Sequence, residues 1–141
     1  MIQTPQTLQE SELCDFVAQI YAAFSQGVII LRGDLAAGKT TFVKAFAKML
    51  GVEEDVTSPT FSLQQCYAKG LFHYDIYNHG LNHFISLGML EELEKEGLHF
   101  VEWGDETLEE ILDDAGIEFL VIEIEKAKDN SRTYRIKHAH A

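Results

Sequence analysis

The chain has 141 residues, of which 46% are hydrophobic and 11% aromatic, and its formal net charge is −12. This length and composition predict one folded domain spanning residues 1–141 and exclude a disordered chain. No segment approaches the roughly 20 apolar residues of a membrane-spanning helix, and the polar residues 1–12 lack the apolar segment of a signal peptide. Two isolated cysteines, Cys14 and Cys66, are typical of reduced thiols, so we expect a cytoplasmic protein.

The first predicted helix begins at a capping box formed by Thr7 and Glu10. Apolar side chains follow it at helical spacing: Leu13, Phe16, Val17, Ile20, Tyr21 and Phe24. Gly27 is predicted to end this helix, because glycine readily terminates helices. An apolar run at residues 28–31 predicts a buried strand, and a second helix ends near Leu50.

The second half of the chain alternates short apolar runs with polar turns. Runs at residues 61–67 and 71–77 predict a β-hairpin. The other predicted elements are a turn and a helix within residues 78–97, a strand at 98–103, an acidic helix at 105–114, and two closing strands at 117–125 and 133–137. This order predicts an α/β fold with a partly parallel sheet, an antiparallel edge and flanking helices. The ligand is expected at the carboxyl ends of the strands.

A phosphate-binding loop is the most specific motif in the chain. Residues 33–41 match G-x-x-x-x-G-K-[ST] between a predicted strand and a predicted helix, which favours a P-loop NTPase-like site over an ordinary turn. Glycines let backbone N–H groups surround a polyphosphate, and the helix N-terminus adds positive charge. Lys39 is predicted to reach the β/γ-phosphates, and the Thr40 hydroxyl to ligate Mg²⁺. The predicted nucleotide-binding residues of the loop are Gly33, Ala36, Ala37, Gly38, Lys39, Thr40 and Thr41.

Two further positions fit the chemistry of such a loop. Glu102 ends a predicted buried strand, where an acid would face Thr40 across a Mg²⁺ ion; a surface acid at a strand end is the alternative. Thr60, within residues 57–60, could belong to a loop that senses the γ-phosphate. A proline-fixed turn entering a strand would explain the same residues.

A third candidate lies on the second hairpin strand. Strand alternation places His73, Asp75 and Tyr77 on one face, which suggests a site. Asp75 could hold a Mg²⁺-bound water or position the attacking water. A half-exposed hairpin strand is an equally good explanation of this pattern.

The negative charge is concentrated between Met89 and Glu125, where Lys95 is the one basic residue. A surface of this kind repels nucleic acid, so direct binding of RNA or DNA is disfavoured. Charge alone favours a solvated face over the alternative, a docking surface for a basic partner protein.

Four segments together resemble one family, the bacterial tRNA threonylcarbamoyladenosine biosynthesis ATPases called TsaE or YjeE: residues 33–41, 58–61, 73–77 and 102–103. The resemblance implies a protein that binds ATP and Mg²⁺ and hydrolyses ATP slowly when alone. It implies two partners, a threonylcarbamoyl transferase subunit and its inactive paralogue. Their complex modifies the adenosine beside the anticodon in tRNAs that read ANN codons, and the ATPase resets the transferase between cycles.

The resemblance also implies roles for single residues: Lys39 holds phosphates, Thr40 and Glu102 hold the metal, Asp75 is needed for hydrolysis, and Thr60 belongs to the nucleotide-sensing loop. Arg132 is the best-placed match to a family arginine that reaches the nucleotide, with Arg135 as the competitor. The sequence departs from the family pattern in three places: Ala36 replaces a glycine, Asn78 replaces an arginine, and Gly104-Asp105 replaces Pro-Glu. The last departure leaves the role of Asp105 open.

Two other functions remain as alternatives. One is a nucleotide-sensing adaptor without significant turnover, in which ATP orders residues 57–60 for docking. The other is a small P-loop kinase, which the few basic residues of the chain disfavour because a kinase lid usually carries arginines.

Overall fold

The computed structural model describes residues 2–34, 37–53, 55–57, 63–77 and 80–137. The strands in these ranges are β1 (Gln6–Leu8), β2 (Gly27–Arg32), β3 (Gln64–Tyr67), β4 (Leu71–Asp75), β5 (Leu98–Glu102), β6 (Phe119–Lys126) and β7 (Arg132–Lys137). The helices are α1 (Leu13–Ala23), α2 (Lys39–Met49), α3 (Gly80–Ser86), α4 (Met89–Leu93) and α5 (Glu106–Asp114). None of these helices is long and apolar enough to cross a membrane.

The seven strands form one mixed sheet in the order β1-β7-β6-β2-β5-β4-β3. Its four central strands, from β6 to β4, run parallel, while β3 at one edge and β7 and β1 at the other are antiparallel. The predicted fold class is therefore confirmed, with antiparallel strands at both edges rather than at one. Parallel strands have to be covered on both faces, which explains why β2 and β5 are almost continuously apolar.

Each face of the sheet carries its own hydrophobic core. On one face, α1 and α2 pack aromatic residues against the strands, and the largest are Phe16, Phe42, Phe46, Phe100 and Tyr134. On the other face, α3, α4 and α5 cover the sheet through Phe84, Leu93, Leu108 and Leu112. The acidic helices α4 and α5 therefore lie on the opposite face from the helix that follows the glycine loop.

The start of the chain differs from the prediction. Thr7 belongs to β1, where its hydroxyl bonds that of Thr133 at 2.9 Å, so the predicted capping box of Thr7 and Glu10 is wrong. The observed box lies two residues later, where the Gln9 amide donates to Glu12 Oε1 at 2.8 Å. A short 3-10 turn then leads into α1, as the helical spacing predicted.

The region predicted to hold a turn and one helix, residues 78–97, contains two short helices, α3 and α4. Gly88 separates them and adopts a left-handed conformation with φ of 77°. A residue with a side chain is strained in that conformation, so glycine fits this break.

Candidate functional site

The carboxyl ends of the central parallel strands bring the predicted site residues together. Glu102, the last residue of β5, lies in register with Leu31 of β2 on one side and with Asp75 of β4 on the other. The glycine loop leaves β2 at this same edge and enters α2 at Lys39. The sheet register thus places the loop and both carboxylates at the carboxyl ends of the parallel strands. This is the edge of the sheet where the sequence predicted the ligand.

The glycine loop is closely packed against the sheet. A Cβ atom on Gly33 would lie 2.5 Å from the carbonyl oxygen of Ile124 and 2.9 Å from Cβ of Ala37, so a larger residue does not fit there. Gly38 has a left-handed φ of 111° immediately before α2. The Ala37 amide donates to the Asp34 carbonyl at 3.0 Å, which turns the loop back on itself. The predicted contact at Ala36 falls outside the described residues.

Lys39 is buried at the centre of this loop, with 5% of its surface exposed. Its Nζ donates to the carbonyl oxygens of Gly33 at 2.6 Å and Asp34 at 3.0 Å. Burial lowers the pKa of Lys39, and the carboxylates of Glu102, Asp75 and Asp34 oppose this shift, in that order of size. The ammonium is therefore aimed into the loop, where a phosphate group would lie.

Trp103 forms the other side of the lysine pocket. Lys39 Nζ lies 3.9 Å from the centroid of the Trp103 ring, a cation–π contact. Trp103 has a φ of 71°, which is rare for a bulky residue and occurs where surrounding structure imposes it. Sequence reasoning missed this contact, although residues 102–103 were one of the four family markers.

Thr40 and Glu102 form the pair predicted to hold a metal. Thr40 Oγ1 donates to Glu102 Oε2 at 2.9 Å, and Glu102 is buried with 4% exposure. His73 Nε2 is hydrogen-bonded to the same carboxylate oxygen. The alternative of an exposed surface acid at position 102 is therefore wrong. The sequence placed His73 on the right face of β4 but gave no sign of its partner.

A hydroxyl and a carboxylate are the hard oxygen donors that Mg²⁺ uses when phosphate oxygens and waters complete its shell. Among the residues that the structure describes, no group of three His, Cys, Asp or Glu side chains could hold a metal ion. The donor types of Thr40 and Glu102 fit those that a magnesium ion accepts.

Asp75 ends β4 beside Glu102 and is also buried, with 4% exposure. Its Oδ1 accepts a hydrogen bond from the Tyr77 amide at 2.8 Å, which starts a turn. The strand therefore stops at Asp75, and the prediction that Tyr77 continues the same strand face is wrong. Tyr77 is half exposed, and its ring centroid lies 4.5 Å from that of Trp103. The alternative of a half-exposed strand face formed by His73, Asp75 and Tyr77 does not hold for His73 and Asp75, which are both buried.

The two candidate arginines have different partners in the structure. Arg132 Nε donates to the Ala37 carbonyl of the glycine loop at 2.8 Å, and its Nη1 donates to the Ser131 carbonyl at 3.0 Å. Arg135 instead pairs with the exposed Glu125 at 3.2 Å. The structure thus places Arg132, and not Arg135, against the loop.

Gly104 and Asp105, which depart from the family pattern, have structural roles here. Asp105 Oδ1 accepts the Leu108 amide at 3.0 Å and caps α5. A Cβ atom on Gly104 would lie 2.8 Å from side-chain atoms of both Ile30 and Leu108. The predicted roles of Thr60 and Asn78 concern residues outside the described ranges.

A cavity of about 490 Å³ opens beside Thr41, the residue after Thr40. It lies between the start of α1 and the exposed side of α2, and its lining residues are Glu10, Ser11, Leu13, Cys14, Thr41, Lys44, Ala45 and Lys48. Its volume is typical of a small-molecule site. The sequence gave no signal for this cavity, because its two walls are distant in the chain.

The class of this protein is an α/β domain with a strand–glycine loop–helix unit at the carboxyl edge of a parallel sheet. A family model described as "Threonylcarbamoyl adenosine biosynthesis protein TsaE" matches residues 7–134. The chain therefore belongs to the TsaE family, and the resemblance read from its four segments is confirmed.

Individual relatives and a solved structure agree with this assignment. A protein from Treponema pallidum is 41% identical over 87 residues, covering 60% of this chain but only 64% of the relative. A protein from Bacillus subtilis is 40% identical over 121 residues, covering 82% of this chain and 73% of the relative. Both are named tRNA threonylcarbamoyladenosine biosynthesis protein TsaE. The crystal structure of Bacillus subtilis YdiB matches with a TM-score of 0.66 at 30% identity, covering 99% of this chain and 90% of that one.

Proposed function

We propose that this protein binds and hydrolyses ATP with Mg²⁺ and thereby supports threonylcarbamoyl modification of the adenosine next to the anticodon in ANN-reading tRNAs. The observation that carries the proposal is the arrangement of Lys39 in the glycine loop beside the hydrogen-bonded pair of Thr40 and Glu102. Family membership and the names of the relatives support the tRNA-modification pathway.

The nucleotide would lie along the loop and the start of α2. Lys39 would exchange its two carbonyl partners for phosphate oxygens, and Gly33, Ala36, Ala37, Gly38, Thr40 and Thr41 would complete the phosphate-binding surface. Arg132, already bonded to the Ala37 carbonyl, would supply a second positive charge. The cavity beside Thr41 has room for the nucleoside.

Thr40 and Glu102 would hold the Mg²⁺ ion, which neutralises phosphate charge when bound. Asp75 lies next to Glu102 in the sheet register and is the best-placed group to orient an attacking water. Thr60 remains the candidate for the nucleotide-sensing position. The chain's own contribution to hydrolysis is therefore positioning and charge, which is the usual basis of phosphoryl transfer.

Slow turnover of the isolated protein follows from how its arginines are used. The chain has three arginines. Arg32 bonds the Gly104 carbonyl and Glu109, and Arg135 pairs with Glu125, so Arg132 is the one arginine beside the loop. Its Nε and Nη1 are bonded to backbone carbonyls, so it would add charge to the site without reaching the transferring phosphate. An arginine that reaches the transferring phosphate can accelerate hydrolysis by about 10³- to 10⁵-fold. We infer that the partners, a threonylcarbamoyl transferase subunit and its inactive paralogue, stimulate turnover, and that hydrolysis resets the transferase.

The acidic surface supports contact with proteins rather than with RNA. Nine carboxylates between residues 91 and 118 are exposed: Glu91, Glu94, Glu96, Asp105, Glu106, Glu110, Asp113, Asp114 and Glu118. Such a surface repels the phosphates of tRNA. Direct tRNA binding is accordingly not part of the proposed mechanism.

The deciding experiment measures ATP hydrolysis with Mg²⁺, first for the chain alone and then with the transferase and its paralogue from the same organism. We expect slow turnover alone and strong stimulation by the pair. Asp75→Asn should keep ATP binding and lose turnover, whereas Asp114→Asn, an exposed acid in α5, should behave like the wild type. Tight ATP binding without hydrolysis in any combination would instead support the nucleotide-sensing adaptor.

A further inference from the structure

His73 is a buried histidine with an unusual hydrogen-bonding state. It is fully buried in β4, and its Nε2 is hydrogen-bonded to Glu102 Oε2. Its Nδ1 is the only buried side-chain nitrogen or oxygen in the described residues that has no hydrogen-bond partner. An unpaired buried polar atom costs about 1–3 kcal/mol, so an apolar residue would serve this strand better if packing were the only requirement.

The bond to Glu102 defines what His73 does. An ionised carboxylate can only accept hydrogen bonds, so Nε2 is the donor in this bond, while Nδ1 has no partner among the described residues. Glu102 Oε2 accepts from His73 on β4 and from Thr40 on α2 at 2.9 Å. Two donors from different elements thus hold one carboxylate oxygen and leave Oε1 for another ligand.

His99 shows what a structural histidine looks like in the same sheet. It is also fully buried, but both of its ring nitrogens are paired, Nδ1 with the Tyr74 hydroxyl and Nε2 with the Lys95 carbonyl, each at 2.7 Å. Its ring also stacks on Phe72 at a centroid distance of 4.4 Å. This contrast indicates that the bond to Glu102, rather than a contribution to the stability of the sheet, is the role of His73.

We propose that His73 is a positioning residue that fixes the Glu102 carboxylate for Mg²⁺ binding. The proposal rests on the proposed function, because it concerns the same metal. A residue that orients a metal-binding side chain typically changes metal affinity by about 10- to 100-fold when it is replaced. His73 does not contact the nucleotide in this proposal, so binding of nucleotide without Mg²⁺ should not depend on it.

The test compares His73→Met with His73→Gln, since the two side chains have similar size and only glutamine can donate to Glu102. ADP affinity is measured by calorimetry in EDTA, and Mn²⁺ affinity of the ADP-loaded protein by electron paramagnetic resonance. We expect His73→Met to weaken Mn²⁺ binding at least 10-fold and to change metal-free ADP affinity less than 2-fold. His73→Gln should recover most of the metal affinity.

His99→Met is the matched control, because it also removes a buried imidazole from the sheet. It should lower the unfolding temperature and leave Mn²⁺ affinity within 2-fold of the wild type. Equal Mn²⁺ affinity in wild type and His73→Met, or equal loss in His73→Met and His99→Met, would overturn the positioning role. If Mg²⁺ or Mn²⁺ does not change the ADP affinity of the wild-type protein, the proposed function fails, whatever the variants show.

A measurement on the wild type covers the case in which His73→Met does not fold. Long-range proton–nitrogen spectra of the imidazole should show the Nε2–H tautomer of His73. Adding Mg²⁺ to the ADP-loaded protein should shift its Nε2 resonance and leave that of His99 unchanged. An Nδ1–H tautomer, or no response to Mg²⁺, would contradict the proposal.

Discussion

Replacing Lys39 with methionine should separate the binding role of this lysine from its structural role. The ammonium makes two hydrogen bonds to loop carbonyls and a cation–π contact with Trp103. Methionine keeps much of the side-chain volume but removes the charge. Hydrogen bonds to charged groups contribute about 1.5–3 kcal/mol, which corresponds to about 10- to 100-fold in affinity for a phosphate ligand.

The loss of stability should be smaller than the lost hydrogen bonds alone suggest. The carbonyls of Gly33 and Asp34 lose a partner, which costs up to about 1–3 kcal/mol each if they stay dry. Burial of the charged ammonium is itself unfavourable, as the lowered pKa of Lys39 indicates. Methionine carries no charge, so this unfavourable contribution disappears and offsets part of the cost. We therefore expect Lys39→Met to fold, with an unfolding temperature only a few degrees below that of the wild type.

The assay can use the single tryptophan of the chain, because Trp103 lies against Lys39. ATP binding should draw the ammonium away from the ring and change Trp103 emission. Lys39→Met should show at least a 10-fold weaker ATP titration, while Lys95→Met, at an exposed lysine on the opposite end of β5, should titrate like the wild type. Wild-type ATP affinity in a folded Lys39→Met protein would refute the phosphate-loop interpretation.

Three further predictions concern the scaffold. Gly33→Ala should abolish tight nucleotide binding in calorimetry, because its Cβ would overlap the Ile124 carbonyl at 2.5 Å. Phe42→Ala should destabilise the protein by about 3–5 kcal/mol in urea unfolding, because this fully buried ring contacts four other aromatic rings. Burial lowers the pKa of His99, so the unfolded state binds its proton more readily and stability should fall as pH drops below about 6.5. Thermal unfolding at pH 7.5 and 5.5 should show this loss, and His99→Gln should reduce it.

The sequence predicted those parts of the site that local patterns determine. The glycine loop between an apolar strand and a helix is encoded within residues 28–50, so its position was predicted. Glu102 was found because an acid ends an apolar run. In each case the decisive residues lie within one element or at its end.

The errors arose where distant segments compete with a local pattern. Thr7 and Glu10 match a capping box, but Thr7 lies in β1 and bonds Thr133 of β7, 126 positions away in the chain. The capping box is formed by Gln9 and Glu12 instead. Tyr77 follows the alternation of β4, but the Asp75 carboxylate accepts the Tyr77 amide and ends the strand. No periodicity in the sequence distinguishes these outcomes, because both depend on which partner is present in three dimensions.

The contacts of Glu102 show why the remaining part of the site could not be predicted. Alternation along β4 places His73 on one face of the sheet but does not reveal that β5 is its neighbour. Only that adjacency lets His73 and Thr40 share one carboxylate oxygen. The following residue, Trp103, turns into a left-handed conformation and reaches Lys39 on the loop after β2. One strand end thus fixes the surroundings of both Thr40 and Lys39, so a change at β5 should disturb the candidate metal position and the phosphate position together.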